Sequence, residues 1–383
     1  MSETGIPFLQ KEIEAKLNHL RSQALHRSVN RQKAAGSIDL SHNDYLALGD
    51  DKPFQRKLLQ SIRNRPMAGR SSRLLKSDGD SYQELEEMFA VFKGTESALY
   101  FSSGYAANES LIAALSFRRV RIFVDELVHA SVWDGLRQSP VPRAYKCKFS
   151  HNKIEELEEK LRASDASLNI VLVESLYSMD GDLAPLPELM ELVERYQGLL
   201  VVDEAHSLGC LGLGGVGLVK SPHVISVNPC GKGFGGQGAF IACPAWFKDY
   251  LVNTSRRFIY STASSPWLIE GLKQTLGYIT HLDERREHLA DLGVKVRRSL
   301  KDLGFDIGSS QSHIIPVIIG DEGRTLDVAS HLLERGIVVS AVRPPTVAKG
   351  RSRLRLSLNA GLSNEQVDQV LEEFKGLKRG VEG

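Results

Sequence analysis

The 383-residue sequence has few cysteines, and none of them lies close to another. The four, Cys147, Cys210, Cys230 and Cys243, include no Cys-x-x-Cys pair, which argues against a disulfide framework and against a zinc site. The sequence also lacks an apolar run as long as a membrane-spanning helix needs, which is about 18 residues. Its first residues lack the basic start and apolar stretch of a signal peptide. We therefore expect a cytoplasmic protein without membrane contact.

Net charge is nearly absent as well. Lys and Arg number 48 and Asp and Glu number 47, so the formal net charge is +1 and gives no reason to expect a nucleic-acid partner. One basic stretch, near the start, contains Arg21, Arg27, Arg31 and Lys33. Two interpretations of this stretch stay open, a solvated surface and a contact for a phosphate-rich or acidic carrier.

Two nucleotide-binding motifs are incomplete. Asp203-Glu-Ala-His206 resembles a helicase box, but ATPases of that kind also need Gly-Lys followed by Ser or Thr, and Gly233 follows Lys232 here. Residues 212–217 match Gly-x-Gly-x-x-Gly, yet Pro222 follows and no helical pattern or suitably placed acidic residue does. We predict a turn-rich loop there instead of a dinucleotide site.

Short apolar segments alternate with helical ones in the first two thirds of the chain. The predicted strands span residues 97–101, 120–124, 168–173, 199–202, 223–227 and 239–242, and residues 7–20 and 185–196 are predicted helices. Such alternation predicts an α/β fold with a mainly parallel sheet that is covered on both faces.

The sequence after residue 247 has a different character. A charged, helix-rich stretch precedes strands at 313–319, 337–342 and 353–358, and a last helix starts at Ser363, where Gln366 can close a capping box. These elements predict a smaller α+β domain. Because the chain exceeds the size of a single core, we divide it into an N-terminal helix and arm (1–48), a large domain (49–246) and a helix-rich connection with a small C-terminal domain (247–383).

Lys232 is the most informative residue. It lies among glycines, which leave room for a flat cofactor to approach the backbone, and it follows a short apolar strand that ends at Asp203. A lysine amine suits a Schiff base, and a carboxylate suits the protonated nitrogen of a pyridine ring. In a parallel sheet, ligands bind beyond the carboxyl ends of the strands. The pair therefore predicts pyridoxal 5'-phosphate (PLP) chemistry at that edge.

Seven motifs, in order, carry a resemblance over nearly the whole chain. They lie at residues 42–48, 101–108, 129–135, 177–182, 202–206, 343–347 and 353–358. With them the sequence resembles the α-oxoamine synthases, PLP-dependent enzymes of the aminotransferase-like fold (fold type I), and most of all their biotin-forming branch. The resemblance implies a decarboxylative condensation of an amino acid, L-alanine by preference, with pimeloyl-CoA or a pimeloyl carrier protein.

The resemblance also implies roles around the cofactor ring. Lys232 would bind PLP and move the substrate α-proton, and Asp203 would pair with the ring nitrogen. His206, with Ser178, would contact the phenolic oxygen, and His129 would stack on the ring.

Other roles concern the phosphate and the substrate. Gly104 and Tyr105, at a helix start, would bind the phosphate through backbone N–H groups. Ser261 and Thr262 resemble a segment that reaches the phosphate from a neighbouring subunit, which implies a homodimer with shared sites.

Three residues resemble substrate contacts: Asn43, Arg343 and Arg355. Arg353 should share a strand face with Arg355, so periodicity does not choose between them, and only the family pattern singles out Arg355 for the substrate carboxylate.

The sequence departs from the family pattern in two places, and one further residue adds bulk. Pro229 replaces a Ser or Thr whose hydroxyl contacts the phosphate, so that either Ser226 or Asn228 compensates or the phosphate is held more weakly. Residues 68–78 replace a glycine-rich substrate loop, and Trp133 adds bulk near the ring. Two alternatives therefore stay open. One is a sister synthase with another acyl-CoA or amino acid, such as a long-chain amino-ketone synthase or glycine C-acetyltransferase, and the other is a non-catalytic protein of the same fold.

Overall fold

The computed structural model describes residues 4–29, 36–75, 80–221 and 223–382. Arg31, Lys33, Pro222 and the last part of the 68–78 loop, residues 76–78, lie outside these residues. The strands of the described part are β1 (Ile38–Asp39), β2 (Ser97–Phe101), β3 (Val120–Asp125), β4 (Lys146–Phe149), β5 (Leu168–Glu174), β6 (Leu199–Asp203), β7 (Val224–Pro229), β8 (Ala239–Cys243), β9 (Ile314–Gly320), β10 (Ile337–Val338), β11 (Ser340–Val342) and β12 (Ser352–Ser357).

Helices cover the strands and connect them. They are α1 (Ile6–Ser22), α2 (Lys52–Ile62), α3 (Asp80–Lys93), α4 (Gly104–Ala114), α5 (Ala130–Gln138), α6 (Ile154–Arg162), α7 (Leu186–Arg195), α8 (Ala245–Thr254), α9 (Arg256–Ile259), α10 (Pro266–Ile279), α11 (Asp283–Asp302), α12 (Glu322–Glu334) and α13 (Asn364–Glu382). Among the described helices, none has both the length and the apolar composition needed to cross a membrane.

A seven-stranded sheet forms the centre, in the order β2-β8-β7-β6-β5-β3-β4. Strands β3 to β7 pair in parallel, and β8 runs antiparallel to both β7 and β2. The mainly parallel sheet predicted from the sequence is confirmed.

Both faces of this sheet are buried, which explains the continuous apolar strands. Along β5, Ile170 and Leu172 pack in one cluster with residues of α4 and α5, whereas Val171 and Val173 pack in another with residues of α7. Successive side chains of a strand point to opposite faces, so an unbroken apolar run serves both clusters. Burying each such side chain stabilises the fold by about 1.5–3 kcal/mol.

Two smaller sheets lie in the last part of the chain. Strands β9, β12 and β11 form an antiparallel sheet, and β10 pairs in parallel with β1 from the N-terminal segment. The expected single strand at 337–342 is therefore wrong in one respect, because its two halves, separated by Val339, pair in different sheets. The domain boundaries at residues 48 and 246 stay a prediction.

Two local predictions are confirmed. The Ser363 N–H donates to Gln366 Oε1 at 2.9 Å and the Gln366 N–H donates to Ser363 Oγ at 3.2 Å, so the capping box forms at the start of α13. Residues 212–217 form a tight turn around a short 3-10 segment, Leu213–Gly215, with positive φ at several glycines.

A buried ion pair lies beneath the strand end that carries Asp203. Lys93 contacts Glu204, and its Nζ also donates to the carbonyl oxygens of Val216 and Val219 at 2.8 and 2.6 Å. Glu204 in turn accepts from the Leu218 N–H at 2.7 Å. Burial lowers the pKa of Lys93, while Glu204 opposes that shift. The pair holds residues 216–219 against the segment that follows β6.

Candidate active site

A cavity of about 300 Å³ lies at the carboxyl ends of the parallel strands. It brings together seven residues predicted from the sequence, Gly104, Tyr105, His129, Ser178, Asp203, His206 and Lys232. They come from separate strand ends and the turns that follow them. The parallel topology therefore assembles residues that are more than a hundred positions apart in the chain.

Lys232 lies in the turn between β7 and β8. Its Nζ is 3.0 Å from His206 Nε2, and its carbonyl oxygen accepts from the Gly235 N–H at 2.8 Å. Burial lowers the pKa of Lys232, against the opposing charges of Asp203 and Glu174. A larger fraction of this amine is therefore neutral, and nucleophilic, than for an exposed lysine.

Asp203 ends β6 and is held at both oxygens. Oδ2 accepts from Asn108 Nδ2 at 2.8 Å, and Oδ1 accepts from the Ala205 N–H at 2.9 Å. Asn108 also donates to Ser131 Oγ at 2.9 Å, and that oxygen lies 2.8 Å from His129 Nδ1. One hydrogen-bonded chain thus fixes the carboxylate and the imidazole. No role was predicted for Asn108 and Ser131 from the sequence, although a polar residue on the buried face of α4 was an available signal.

Glu174 is a second buried acid that the sequence analysis missed. It ends β5 and lines the cavity, where Oε2 accepts from the Ser178 N–H at 3.2 Å. Oε1 is buried and has no hydrogen-bond partner among the described residues. Burial, and then the charge of Asp203, raise the pKa of Glu174 to about 8. A carboxylate at the end of an apolar strand was the available signal.

The first turn of α4 forms another end of the cavity. Ser103 caps the helix by accepting from the Ala106 N–H at 3.1 Å, and the N–H groups of Gly104 and Tyr105 have no intrahelical acceptor. Position 104 has no room for a side chain, since a Cβ there would lie 2.7 Å from Pro229 Cγ. The result is a glycine cradle at a helix N-terminus, which suits an anion.

Ser226 and Asn228, the two residues that could compensate for Pro229, are hydrogen-bonded to each other. Asn228 Nδ2 donates to Ser226 Oγ at 2.9 Å, and neither side chain lines the cavity. The hydroxyls that do line this end belong to Ser102 and Ser103.

Arg355 and Asn43 lie beside the cavity. Arg355 Nε donates to the Ser178 carbonyl oxygen at 2.6 Å, and its Nη1 donates to Asn43 Oδ1 at 3.0 Å. Arg353 lies on the same face of β12, where its Nη1 donates to Asp180 Oδ1 at 2.7 Å. Arg355 is therefore the arginine linked to residues of the cavity, while Arg353 holds the loop after Ser178.

Three predicted residues lie outside this cavity. Arg343 donates to the Ala24 carbonyl oxygen and does not line the cavity. Ser261 and Thr262 line a second cavity of about 30 Å³, which shares Ser102 with the larger one. Their roles toward the substrate and a neighbouring subunit stay predictions.

The side chains fit PLP in kind. The cavity offers a buried amine of lowered pKa, a carboxylate held by two donors, and a glycine cradle at a helix N-terminus. These suit, respectively, the aldehyde carbon, the ring nitrogen and the phosphate of the cofactor.

The family model for aminotransferase class I and II matches residues 35–374. The chain belongs to that family. PLP is its cofactor, and the chain is an α-oxoamine synthase, a PLP-dependent acyltransferase of fold type I.

Relatives of known name support this membership. The chain is 36% identical to an 8-amino-7-oxononanoate synthase from Lysinibacillus sphaericus, with 89% of each chain covered. It is 37% identical to the enzyme of the same name from Marinobacter nauticus, with 87% of this chain and 85% of that one covered.

Two solved structures have the same fold. Serine palmitoyltransferase from Sphingomonas wittichii superposes with a TM-score of 0.88 at 26% identity, covering 98% of this chain and 99% of that one. The 8-amino-7-oxononanoate synthase of Francisella tularensis gives a TM-score of 0.77 at 26% identity, covering 91% and 100%.

Proposed function

We propose that this chain is an 8-amino-7-oxononanoate synthase, which condenses L-alanine with a pimeloyl thioester, carried by CoA or by a carrier protein, and releases carbon dioxide. The observation that carries the proposal is the arrangement of one cavity, with the Lys232 amine on His206 and Arg355 at its side. The names of the relatives at 36 and 37% identity support the choice of substrates.

In this proposal four residues hold the cofactor ring. Lys232 is the covalent attachment point, Asp203 pairs with the ring nitrogen, and His129 covers one face. His206, with Ser178, would hydrogen-bond the phenolic oxygen. The two oxygens of Asp203 are already hydrogen-bonded, so its carboxylate is oriented before any ligand arrives.

When bound, PLP supplies a ring that withdraws electrons from the α-carbon of the amino acid. Arg355 would grip the substrate carboxylate, because a planar guanidinium forms a two-pronged contact with it. Lys232, once released, would take the α-proton and later return one. Its lowered pKa favours this role, because a neutral amine is present at a pH where most lysines are charged.

We also propose a homodimer with shared sites. Ser261 and Thr262 lie near Ser102, at the edge of the phosphate end, and not in the cavity of their own chain. In such a dimer, Ser261 and Thr262 would contact the phosphate of the PLP bound to the other subunit.

A sister synthase is the second candidate. Pro229 at the phosphate end and the altered loop at 68–78 favour a different acyl group or amino acid. The superposition on serine palmitoyltransferase also supports a longer acyl chain. A non-catalytic role is the weaker alternative, because the lysine, the aspartate and the arginine are all present.

Thiol release by the purified protein with PLP tests these options. Pimeloyl-CoA is supplied with alanine, glycine or 2-aminobutyrate in turn, and the series is repeated with a long-chain acyl-CoA and with a pimeloyl carrier protein. Release that requires alanine and a pimeloyl thioester, and that is lost in Lys232→Ala, supports the synthase proposed. Release only with the long chain or another amino acid moves the chain to the sister function, and no release with any pair favours the non-catalytic role.

A further inference from the structure

Tyr45 has a buried hydroxyl among three polar groups of the site. Its oxygen lies 2.6 Å from His206 Nδ1, 3.0 Å from Asn43 Oδ1 and 3.2 Å from an Arg355 nitrogen. The ring packs against His313, with the centroids 4.1 Å apart. The position of the hydroxyl oxygen is therefore fixed by packing of the ring as well as by its polar partners.

Arg355 determines which way the protons point. A guanidinium only donates, so the Asn43 atom that faces its Nη1 at 3.0 Å is an acceptor. The other terminal nitrogen of Arg355 donates to the Tyr45 oxygen at 3.2 Å. The same Asn43 oxygen lies 3.0 Å from the Tyr45 hydroxyl, and if Tyr45 gave its single proton to His206 these two oxygens would face each other with no proton between them. Donation from Tyr45 to Asn43 makes every one of these contacts a hydrogen bond, so we assign the proton to that contact.

The consequence falls on His206. The Tyr45 oxygen has no second proton, so its 2.6 Å contact with Nδ1 requires that nitrogen to donate. The other nitrogen, Nε2, then carries a lone pair and accepts from the Lys232 amine at 3.0 Å. Burial, together with the charges of Lys232 and Arg355, lowers the pKa of His206, so the ring is neutral and carries one proton.

We propose that Tyr45 is a positioning residue: in the chain free of PLP it holds His206 in the Nδ1–H tautomer, which presents the Lys232 amine for capture of the cofactor. One N–H of Lys232 is directed at Nε2, and because burial lowers the pKa of Lys232, the neutral amine that can attack the cofactor is more populated than in an exposed lysine. This inference rests on the role of Lys232 as the attachment point for PLP.

The tautomer can be read directly by nitrogen-15 NMR on the full-length chain with labelled histidine and without PLP. The His206 signals are assigned by their loss in His206→Asn. The wild type should show a protonated Nδ1 and an unprotonated Nε2. In Asn43→Ala the Tyr45 proton is free to turn to Nδ1, and the Nε2–H tautomer should increase. A wild-type ring that is protonated on Nε2 or on both nitrogens would overturn the proposal, and so would an Asn43→Ala spectrum without change.

The rate of PLP capture is the second readout. Tyr45→Phe keeps the ring against His313 and removes the acceptor of a buried N–H, so the second-order rate constant should fall about tenfold. Tyr278→Phe is the matched control, because its hydroxyl donates to Asp51 Oδ2 at 2.9 Å, away from the cavity. Equal rates in Tyr45→Phe and the wild type would contradict the proposal.

Neither readout uses the acyl or amino-acid substrate. If the chain proves inactive with alanine and pimeloyl-CoA, the tautomer and the capture rate still test Tyr45. If Tyr45→Phe does not fold, the Asn43→Ala spectrum decides alone.

Discussion

The two ends of the large sheet carry very different cavities. At the amino ends of the strands lies a groove of about 920 Å³, whose lining includes Leu199, Val224 and Trp246 and is mainly apolar. At the carboxyl ends the cavity is about 300 Å³ and contains Lys232 and Asp203, among other polar groups. The larger cavity therefore has the less polar lining.

The direction of the strands explains the difference. At the carboxyl ends the chain turns into helices whose N-termini face the site, as α4 does after β2. Polar residues that follow the strand ends converge there. At the amino ends of the strands, in contrast, lie the C-termini of helices such as α7. Topology, and not the volume of a cavity, is the better guide to the site.

The largest effect is expected from Lys232→Ala. It would remove the proposed attachment point and the proposed base together, so turnover should fall by at least about 10⁴-fold. Lys220→Ala, an exposed lysine in the loop before β7, should stay within about twofold of the wild type. Thiol release measures both, and a Lys232→Ala enzyme with more than about a hundredth of wild-type turnover would contradict the assignment of the site.

Asp203→Asn should lower kcat by about 10²–10³-fold, because the amide keeps the shape of the carboxylate but not its charge. Glu194→Gln, the same change of charge at the amino-end groove, is the control and should leave kcat unaltered. Steady-state kinetics at saturating PLP separates the two. A similar loss in both variants would break the contrast between the two ends.

Arg355→Lys should raise the KM for the amino acid by about tenfold to a hundredfold, because a single ammonium cannot reproduce a two-pronged contact. Arg353→Lys is a matched change two residues away, where the arginine already pairs with Asp180. Its KM should change much less. The reverse order of the two effects would assign the carboxylate contact to Arg353.

The charge of His151 makes a contribution to stability that depends on pH. Nδ1 lies 3.1 Å from both Asp125 oxygens and Nε2 lies 2.8 Å from Asp182 Oδ2. Burial opposes the charged ring, but hydrogen bonds and charges of the two carboxylates outweigh it and raise the pKa of His151 to about 10.

A raised pKa stabilises the fold below the unfolded value of about 6.5, and that contribution is lost as the pH rises through about 10. His151→Gln should unfold with about 3–5 kcal/mol less free energy at neutral pH. The difference from the wild type should shrink above the pKa. Urea unfolding of the variant and the wild type, at neutral pH and above the pKa of about 10, measures this difference in free energy. A difference that is independent of pH would show that the charge of His151 does not contribute to stability.

The smallest effect is expected from Trp246→Ala in the amino-end groove. The side chain is 71% exposed, so the free energy of unfolding should change by at most about 0.5 kcal/mol and turnover should not change. Loss of thiol release in a folded variant would give the groove a functional part.

The sequence was a good guide where a signal was local. The strand predicted at 168–173 is Leu168–Glu174 in the structure, and the one predicted at 97–101 has the same bounds, because both are buried on two faces. Strand β4 was missed because Lys146 and Lys148 interrupt its apolar pattern at an edge of the sheet.

The candidate site was predictable in its motifs and not in its network. Lys232, Asp203 and His206 stand out by their neighbours in sequence. The role inferred for Tyr45 depends on contacts with residues about 160 and 310 positions away, and no pattern along the chain reports such contacts. Arg343 is a different case: its side chain contacts the segment after α1, and the role toward the substrate that its motif suggested stays a prediction.

The contact of the Pro229 ring with Gly104 links two positions that are far apart in sequence. A Cβ at 104 would lie 2.7 Å from Pro229 Cγ and 3.0 Å from its Cβ, so any larger residue at 104 meets the ring first. Substitutions at the two sites should therefore be interdependent: a smaller residue at 229 is the condition under which 104 tolerates a side chain. Libraries that aim to reshape this end of the cavity should vary both positions together.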